Sequence, residues 1–300
     1  MEKVKMTENL YFSRIIQGFW RLAEWKMSDQ ELLTFIENCM EMGITTFDHA
    51  DIYGNYTCEY LFGRALKQKS VLRHQIQLVT KCGIKPISDE YPERYVVHYD
   101  TSKNHIIQSV EQSLKNFGTD YIDVVLIHRP DPFMNPEEVA EAFTQLKKEG
   151  KVLYFGVSNF LPSQFHMLSS YLDFPLVTNQ IEVSVIQLEH FEKGTIDLCQ
   201  EKRIAPMVWS PLAGGKIFTS ETEQAIRLRA TLKRVAREIG ANSIDQVMYA
   251  WLLVHPAKLL PIVGSGKLER VQVAVESVKL QMDRQQWFSI LESSKGHPVP

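Results

Sequence analysis

Four side chains that can move protons or carry charge each follow a short apolar run of the sequence. Asp48, Lys81 and His128 come directly after such runs, and Tyr53 lies five residues beyond Asp48. A phenol can donate a proton to a developing alkoxide, and a neighbouring ammonium stabilises the phenolate that remains. An imidazole at the same place can orient a carbonyl oxygen through a hydrogen bond. Together these residue types are suited to the reduction of a carbonyl group.

Each of these four residues also has a structural explanation when it is taken alone. An Asp after a strand often caps a turn, a Lys is usually solvated, and a lone His often satisfies its hydrogen bonds inside the fold. Gathering four ionisable groups in one buried place is costly, however, unless they act together. Whether they meet depends on the elements that carry them.

Short apolar runs of strand length alternate with amphipathic stretches of helix length along the whole chain. Ser28, with Glu31 three residues later, is typical of a capping box at the start of the first long helix. The predicted strands span residues 14–18, 44–47, 75–80, 121–127, 152–157, 176–178, 204–208 and 260–263. The predicted helices span residues 28–40, 57–68, 103–117, 135–148, 162–171, 191–202, 222–240, 243–254 and 267–278.

Eight strand-then-helix units without a linker predict an α/β fold, a (β/α)₈ TIM barrel formed by residues 1–300 as one domain. Residues 3–12 are predicted to form an N-terminal β-hairpin that closes the bottom of the barrel. The alternative is a doubly wound open sheet, but no G-x-G-x-x-G turn follows the first strand. Because barrel active sites lie where strands end, the four side chains above are expected to converge at the carboxyl-terminal mouth.

Composition and motifs exclude several other classes of protein. The apolar fraction is 44%, and 33 Lys and Arg against 36 Asp and Glu give a formal charge of −3 without a basic block, which argues against nucleic-acid binding. No apolar run approaches the roughly 20 residues that span a bilayer. Four scattered cysteines and an N-terminus without an apolar signal core predict a cytoplasmic protein. Since neither an H-E-x-x-H nor a G-x-S-x-G motif occurs, neither a metal site nor a serine hydrolase is expected.

Several segments resemble the aldo-keto reductase family, in the order in which that family has them. Residues 43–54 (GITTFDHADIYG), with Glu59 and Gly63 beyond them, resemble its first signature. The other similar segments are residues 119–130, 156–160, 211–215 and 261–265. The resemblance covers nearly the whole chain and implies an NADPH-dependent oxidoreductase that reduces aldehydes or ketones to alcohols.

The resemblance also implies a catalytic tetrad of Asp48, Tyr53, Lys81 and His128. Tyr53 is expected to be the proton donor, and Lys81 to lower the pKa of its phenol, which is ordinarily about 10. Asp48 is expected to hold Lys81, and His128 to orient the substrate carbonyl.

The cofactor implied by the resemblance is NADP. Ser158, Asn159 and Gln180 are expected to hold the nicotinamide carboxamide. Trp209 stands where the family often has a tyrosine and is expected to stack on the nicotinamide ring. The remaining expected cofactor residues are Ser210, Leu212, Gly264, Ser265, Lys267 and Arg270. Among these, the loop at Gly264 and Ser265 offers backbone donors to a phosphate, and Lys267 and Arg270 are expected to meet a 2′-phosphate.

The sequence departs from the family pattern at two places. Glu59 lies six residues after Tyr53, whereas the family commonly has its glutamate three residues after the tyrosine, so residues 55–57 look like an insertion at the substrate rim. Gly264 and Ala274 stand where the family often carries a basic residue and an Asn or Glu, respectively.

Two other functions stay open at this point. One is a non-catalytic barrel that senses nucleotide and regulates a protein partner. The other is a barrel lyase or isomerase that uses Lys81 as a Schiff-base amine. The expected partner is a small-molecule carbonyl substrate, with neither nucleic acid nor membrane involved. The sequence leaves the oligomeric state open, and a monomer is compatible with it.

Overall fold

The computed structural model describes residues 1–300 as an alternation of strands and helices. The strands are β1 (Lys3–Lys5), β2 (Tyr11–Ser13), β3 (Ile16–Gly18), β4 (Thr46–Asp48), β5 (Gln77–Cys82), β6 (Ile84–Lys85), β7 (His98–Tyr99), β8 (Ile122–Ile127), β9 (Val152–Ser158), β10 (Asn179–Glu182), β11 (Met207–Trp209) and β12 (Leu260–Val263). The α-helices are α1 (Leu22–Trp25), α2 (Asp29–Glu41), α3 (Tyr53–Tyr56), α4 (Cys58–Lys67), α5 (Lys103–Phe117), α6 (Pro136–Lys148), α7 (Pro162–Ser169), α8 (Glu189–Glu192), α9 (Thr195–Lys202), α10 (Lys216–Thr219), α11 (Glu223–Ile239), α12 (Ile244–Leu253), α13 (Leu268–Glu276) and α14 (Arg284–Lys295).

Eight of the strands close into a parallel barrel in the order β3-β4-β5-β8-β9-β10-β11-β12, with β12 pairing back to β3. The register sets Gly18 beside Asp48, and Asp48 beside Val79 on β5. Lys81, two residues further along β5, pairs with Leu126 on β8. The predicted (β/α)₈ barrel is confirmed, and the strands that carry the expected tetrad are neighbours in it.

The N-terminal hairpin is also confirmed. β1 and β2 pair antiparallel, with Val4 opposite Phe12. Both side chains are buried in one apolar cluster with Val79 and Val124 of the barrel strands. Apolar burial of this kind stabilises the fold, so the hairpin closes one end of the barrel and leaves the other end for the site.

Three predicted elements differ from the structure by more than a shift of one or two residues at an end. Strand β10 begins at Asn179 and not within 176–178. The prediction missed it because its first residues, Asn179 and Gln180, are polar although they are buried, so the strand is not an apolar run. Strand β11 begins only after Pro206, which has no N–H to donate to a ladder. The helix predicted at 191–202 is two short helices, α8 and α9, interrupted by Gly194 in the left-handed region at φ 70°.

Two helix features show how local sequence sets the helical layer. Ser28 and Glu31 form the predicted capping box at the start of α2. Helix α14 lies outside the predicted elements and packs on α11 and α12. Its Trp287 stacks on Trp251 at a centroid distance of 4.9 Å, and each indole N–H donates to the other residue's carbonyl oxygen.

A buried ion pair links Arg73, in the turn just before β5, to Asp123 on β8. The Arg73 guanidinium lies 2.8 Å from Asp123 Oδ2, and the Leu78 N–H donates to the same oxygen at 2.9 Å. Arg73 also donates to the Tyr121 carbonyl oxygen at 2.8 Å. Because both side chains are almost completely buried, removing either charge leaves the other without compensation.

We predict that Asp123→Asn lowers the free energy of unfolding by about 3 to 5 kcal/mol, because the Arg73 charge then stays buried without a counter-charge. Urea denaturation followed by circular dichroism measures it. The control is Glu37→Gln, which removes the exposed Glu37–Lys69 pair and should cost less than about 1 kcal/mol. Equal, small losses in both variants would contradict the assigned role of the buried pair.

Candidate active site

The four side chains of the expected tetrad meet at the carboxyl ends of neighbouring barrel strands. Asp48 is the last residue of β4, Lys81 lies near the end of β5, and His128 follows β8 directly. Tyr53 opens the short helix α3 in the loop after β4. The structure therefore brings together all four residues that the sequence singled out.

Lys81 is the centre of this arrangement. Its side chain has no solvent exposure, and its ammonium donates to Asp48 Oδ2 at 2.9 Å, to the His49 carbonyl oxygen at 2.6 Å and to the Tyr53 hydroxyl at 3.1 Å. The ammonium has three N–H donors, and three acceptors surround it. Because the Tyr53 oxygen accepts from Lys81, the phenol's own hydrogen is free to point to another acceptor.

The electrostatics favour an ionised Lys81 and a protonated Tyr53. Burial disfavours the ammonium, but the Asp48 carboxylate and the Tyr53 oxygen outweigh burial and raise the pKa of Lys81. For Tyr53, burial raises the pKa, and the opposing charge of Lys81 does not fully offset it. Lys81 therefore lowers the pKa of Tyr53, in the direction that the sequence predicts, while desolvation raises it more.

His128 faces the Tyr53 ring edge-on, with 5.9 Å between ring centroids and 76° between ring planes. Burial, aided by the charges of Lys81 and Arg129, lowers the pKa of His128 well below its usual range. Its Nδ1 is buried without a hydrogen-bond partner. At neutral pH it is therefore an uncharged imidazole that can donate one N–H.

A hydrogen-bonded chain connects this centre to the residues expected at the nicotinamide. Gln180 Nε2 donates to Asp48 Oδ1 at 2.7 Å. The Gln180 carbonyl oxygen accepts from Ser158 Oγ at 2.9 Å, and that hydroxyl accepts from Asn159 Nδ2 at 2.8 Å. Asn159 Oδ1 in turn accepts from Trp209 Nε1 at 3.0 Å. Since an indole only donates and a carboxylate only accepts, the direction of every hydrogen bond in the chain is fixed.

This donor set fits a nicotinamide carboxamide. One N–H of Asn159 and the Gln180 Oε1 are left over after the protein's own bonds. Asn159 holds its amide in place with a left-handed backbone at φ 61°, a conformation that non-glycine residues keep only when their surroundings impose it. Trp209 is half-buried, with its Nε1 anchored to Asn159. An aromatic face to stack on and two free polar groups for the carboxamide can hold a nicotinamide ring in one orientation.

Residues of other elements fix the shape of the loop after β12, where the sequence predicts a phosphate site. Gln17 of β3 donates to the Ser265 carbonyl oxygen at 3.1 Å and fixes the loop from inside the barrel. Gly266 lies against Trp25, where an added Cβ would come within 2.5 Å of the indole. Neither Lys267 nor Arg270 makes an ion pair or a side-chain hydrogen bond, and both are exposed. The sequence did not point to Gln17 or Trp25, because neither carries a charge or a recognisable motif.

The loop after β11 carries the remaining expected cofactor residues. Ser210 and Ala213 have left-handed backbone at φ 51° each, and Gly214 and Gly215 follow at 63° and 82°. Leu212 packs partly on the apolar core between them. Strain of this kind clusters at ligand-binding segments.

The segment after Tyr53 forms a tight rim. Gly54, Asn55 and Tyr56 are consecutive left-handed residues, and α4 starts only at Cys58. Glu59 on that helix is buried and accepts from Thr80 Oγ1 at 2.6 Å. The extra residues thus make a turn above the strand ends, while Glu59 still packs against β5.

A comparison with known proteins identifies the family. The Aldo/keto reductase family profile matches residues 14–295. The chain belongs to the aldo/keto reductase family. As a member, it is an NAD(P)H-dependent oxidoreductase that acts on small molecules. None of the helices combines the length and the apolar composition that a membrane span requires.

Relatives and a solved structure show how far this similarity extends. The "Uncharacterized oxidoreductase YcsN" of Bacillus subtilis is 58% identical over 300 residues and covers all of both chains. A protein of Agrobacterium fabrum named "6-dehydroglucose reductase" is 42% identical, again over the full length of both. The structure of the thermostable aldo-keto reductase Tm1743 with the inhibitor epalrestat matches the fold with a TM-score of 0.81 at 23% identity, covering 98% of this chain and 100% of that one.

His49, which follows Asp48, is a buried group outside the expected tetrad. Its ring is fully buried and stacks on Phe19 at 4.7 Å, with the edges of Phe62 and Phe117 around it. Neither ring nitrogen has a hydrogen-bond partner. Burial and the charge of Lys81 lower the pKa of His49 well below its usual range, so its ring is a neutral aromatic next to Lys81.

We predict that His49→Phe makes the enzyme less sensitive to acid. A histidine whose pKa is lowered by folding contributes stability above its unfolded pKa of about 6.5 and loses it as pH falls, by up to about 1.4 kcal/mol per pH unit. Between pH 7.5 and pH 5, wild type should therefore lose up to about 2 kcal/mol more unfolding free energy than the variant. Urea denaturation at both pH values measures this.

The control for this measurement is His166→Phe at an exposed position, which should keep the acid sensitivity of wild type. An identical loss in wild type and His49→Phe would show that the His49 ring is protonated without cost in the folded protein.

Proposed function

We propose that this enzyme reduces aldehyde or ketone carbonyls to alcohols with NADPH, and that Tyr53 donates the proton. The observation that carries the proposal is the occupied coordination of Lys81: its three donors are taken by Asp48, His49 and Tyr53, so the phenol hydrogen is directed away from the lysine. A protonated phenol with a fixed cation on its oxygen is the arrangement a general acid needs.

Each residue of the tetrad then has one role in the reaction. A bound reduced nicotinamide supplies the hydride that the carbonyl carbon receives. Tyr53 gives its proton to the carbonyl oxygen as charge develops there, and Lys81 stabilises the resulting phenolate. Neutral His128 donates an N–H to the same oxygen and orients it. Asp48 keeps Lys81 charged and aimed.

The cofactor would be held at both of its ends by residues described above. Ser158, Asn159 and Gln180 would hold the carboxamide, and Trp209 would cover the ring. Ser210, Leu212, Gly264 and Ser265 would line the path to the phosphates. The unpaired side chains of Lys267 and Arg270 support the choice of NADPH over NADH, because a 2′-phosphate supplies the anion that each of them lacks.

The environment of Lys81 disfavours a Schiff-base mechanism. A nucleophilic amine must be uncharged and accessible, whereas the Lys81 ammonium is buried and all its donors are hydrogen-bonded. The Asp48 carboxylate also raises the pKa of Lys81, which keeps it charged. The name of the Agrobacterium relative adds sugar aldehydes to the candidate substrates. We also infer that residues 1–300 form one domain and that the protein works in the cytoplasm, which its four free, buried cysteines support.

We predict that Tyr53→Phe retains NADPH binding and loses turnover by about 100-fold or more, because only the proton donor is removed. Stopped-flow absorbance at saturating aldehyde measures turnover, and quenching of protein fluorescence measures NADPH binding. Wild-type turnover in the variant would refute the assignment. NADPH binding to wild type without oxidation by any carbonyl of a broad panel would favour the nucleotide-sensing alternative.

We predict that Lys267→Ala and Arg270→Ala each weaken NADPH binding by about tenfold and leave NADH binding within about twofold, since only the former carries the 2′-phosphate. Fluorescence titration with both cofactors measures the two dissociation constants. The control is Lys279→Ala, which removes a cation beyond the end of α13. If both variants weaken NADPH and NADH equally, the 2′-phosphate is bound elsewhere.

A further inference from the structure

A cavity of about 330 Å³ opens at the mouth of the barrel, between the loops that follow β8, β9 and β10. Arg129, the residue after His128, lies on its wall, and Asn159 and Trp209 form the side next to the proposed nicotinamide site. None of the four tetrad residues lines the cavity, which adjoins the site through Arg129, the neighbour of His128 in the chain, and through Asn159 and Trp209. Its volume is at the small end of ligand pockets.

The lining of this cavity is polar. Only three of its twelve lining residues are hydrophobic, whereas ligand pockets are usually lined mostly by apolar side chains. An apolar substrate here would take water away from charged and amide groups without replacing their hydrogen bonds, which is unfavourable.

Two charged side chains on the wall have no partner in the protein. Arg129 makes no ion pair and no side-chain hydrogen bond, and its guanidinium is steadied only by the Trp209 ring, 5.3 Å from the centroid. Glu182, at the end of β10, likewise has no hydrogen bond or ion pair although it is half-buried. Burial raises the pKa of Glu182, and the charges of Arg129 and Lys216 oppose it, so the carboxylate and the guanidinium influence each other without touching.

The neighbouring carboxylate shows the contrast. Glu189 on α8 also lines the cavity, but Lys193 lies 2.5 Å from its Oε1 and Gln187 donates to its Oε2 at 3.3 Å. Both of its oxygens already have a partner in the protein. Glu182 is thus the carboxylate of the cavity that has no partner, and Arg129 is the cation that has none.

The charges of the lining cancel. Arg129 and Lys193 are balanced by Glu182 and Glu189, and burial lowers the pKa of His190, which leaves that imidazole uncharged near neutral pH. A phosphate or carboxylate on the ligand would meet Glu182 without an excess of positive charge. A hydroxyl group, in contrast, both donates and accepts, and can serve the carboxylate and the guanidinium at once.

We propose that this cavity binds the hydroxyl-bearing part of a neutral, polyhydroxylated aldehyde or ketone of sugar type, with Glu182 accepting hydrogen bonds from its hydroxyl groups and Arg129 donating to them. The proposal rests on the proposed carbonyl reduction and names the residues that select its substrate. Glu182 and Arg129 are specificity-determining residues, and Tyr53 remains the proton donor.

Steady-state kinetics with NADPH tests the selection, using D-erythrose and butanal, two four-carbon aldehydes that differ in hydroxyl groups. We expect wild type to prefer the open-chain form of erythrose by about 10- to 100-fold in kcat/KM. Glu182→Gln should remove most of that preference by lowering kcat/KM for erythrose, while kcat/KM for butanal stays the same. The control Glu192→Gln, at an exposed position on the same side of the barrel, should retain it. Equal kcat/KM for the two aldehydes in wild type, or a preference for erythrose 4-phosphate over erythrose, overturns the proposal.

A binding measurement separates this proposal from the proposed reaction. Calorimetric titration of D-sorbitol into the complex with NADP⁺ should show saturable binding in wild type, weakened at least tenfold in Glu182→Gln and in Arg129→Met, with circular dichroism verifying that both variants are folded. Sorbitol binding without reduction of any aldehyde contradicts the carbonyl reduction and leaves the subsite standing. Reduction of butanal without sorbitol binding supports the reduction and overturns the subsite.

Discussion

A charged lysine held inside the barrel is the constraint on which the rest of the site depends. Removing an ammonium from water costs several kcal/mol, and the cost is offset only when every donor is satisfied and a counter-charge is close. Lys81 meets both conditions through Asp48, the His49 carbonyl oxygen and Tyr53. Because all three acceptors must be present, the backbone of the loop after β4 and the phenol are fixed together with the ion pair.

The barrel makes this arrangement possible by bringing adjacent strand ends together. Asp48 and Lys81 stand on neighbouring strands, and Gln180, on the far side of the barrel, reaches the other oxygen of Asp48. Through Gln180 the ion pair is connected to Ser158 and Asn159, and from there to the indole of Trp209. The tetrad and the proposed cofactor residues are therefore parts of one connected network.

Much of the fold and of the tetrad could be predicted from the sequence, because most barrel strands are continuous apolar runs with a polar residue at the end. Strand β10 was not predicted because Asn179 and Gln180 are polar and yet buried. Only the folded chain shows that their side chains have hydrogen-bond partners. Gln17 and Trp25, which shape the loop after β12, carry no motif, and their contacts join residues far apart in sequence. The net rise of the Tyr53 pKa was missed because desolvation depends on how deeply the phenol lies, which residue spacing does not reveal. Only the tertiary structure shows that the side chains of Arg129 and Glu182 have no ion-pair or hydrogen-bond partner in the protein.

The central claim is that the charge of Lys81 acts on the phenol of Tyr53. The most direct measurement is an ultraviolet difference titration of tyrosinate, in which the spectrum of a Tyr53→Phe background is subtracted from that of the intact phenol. It compares the wild-type pair with the double variant Asp48→Asn and Lys81→Met, which removes both charges together. The account predicts that the Tyr53 phenol ionises at higher pH in the double variant, because the cation that favours phenolate is gone and the burial remains. An unchanged or lower ionisation pH would contradict it.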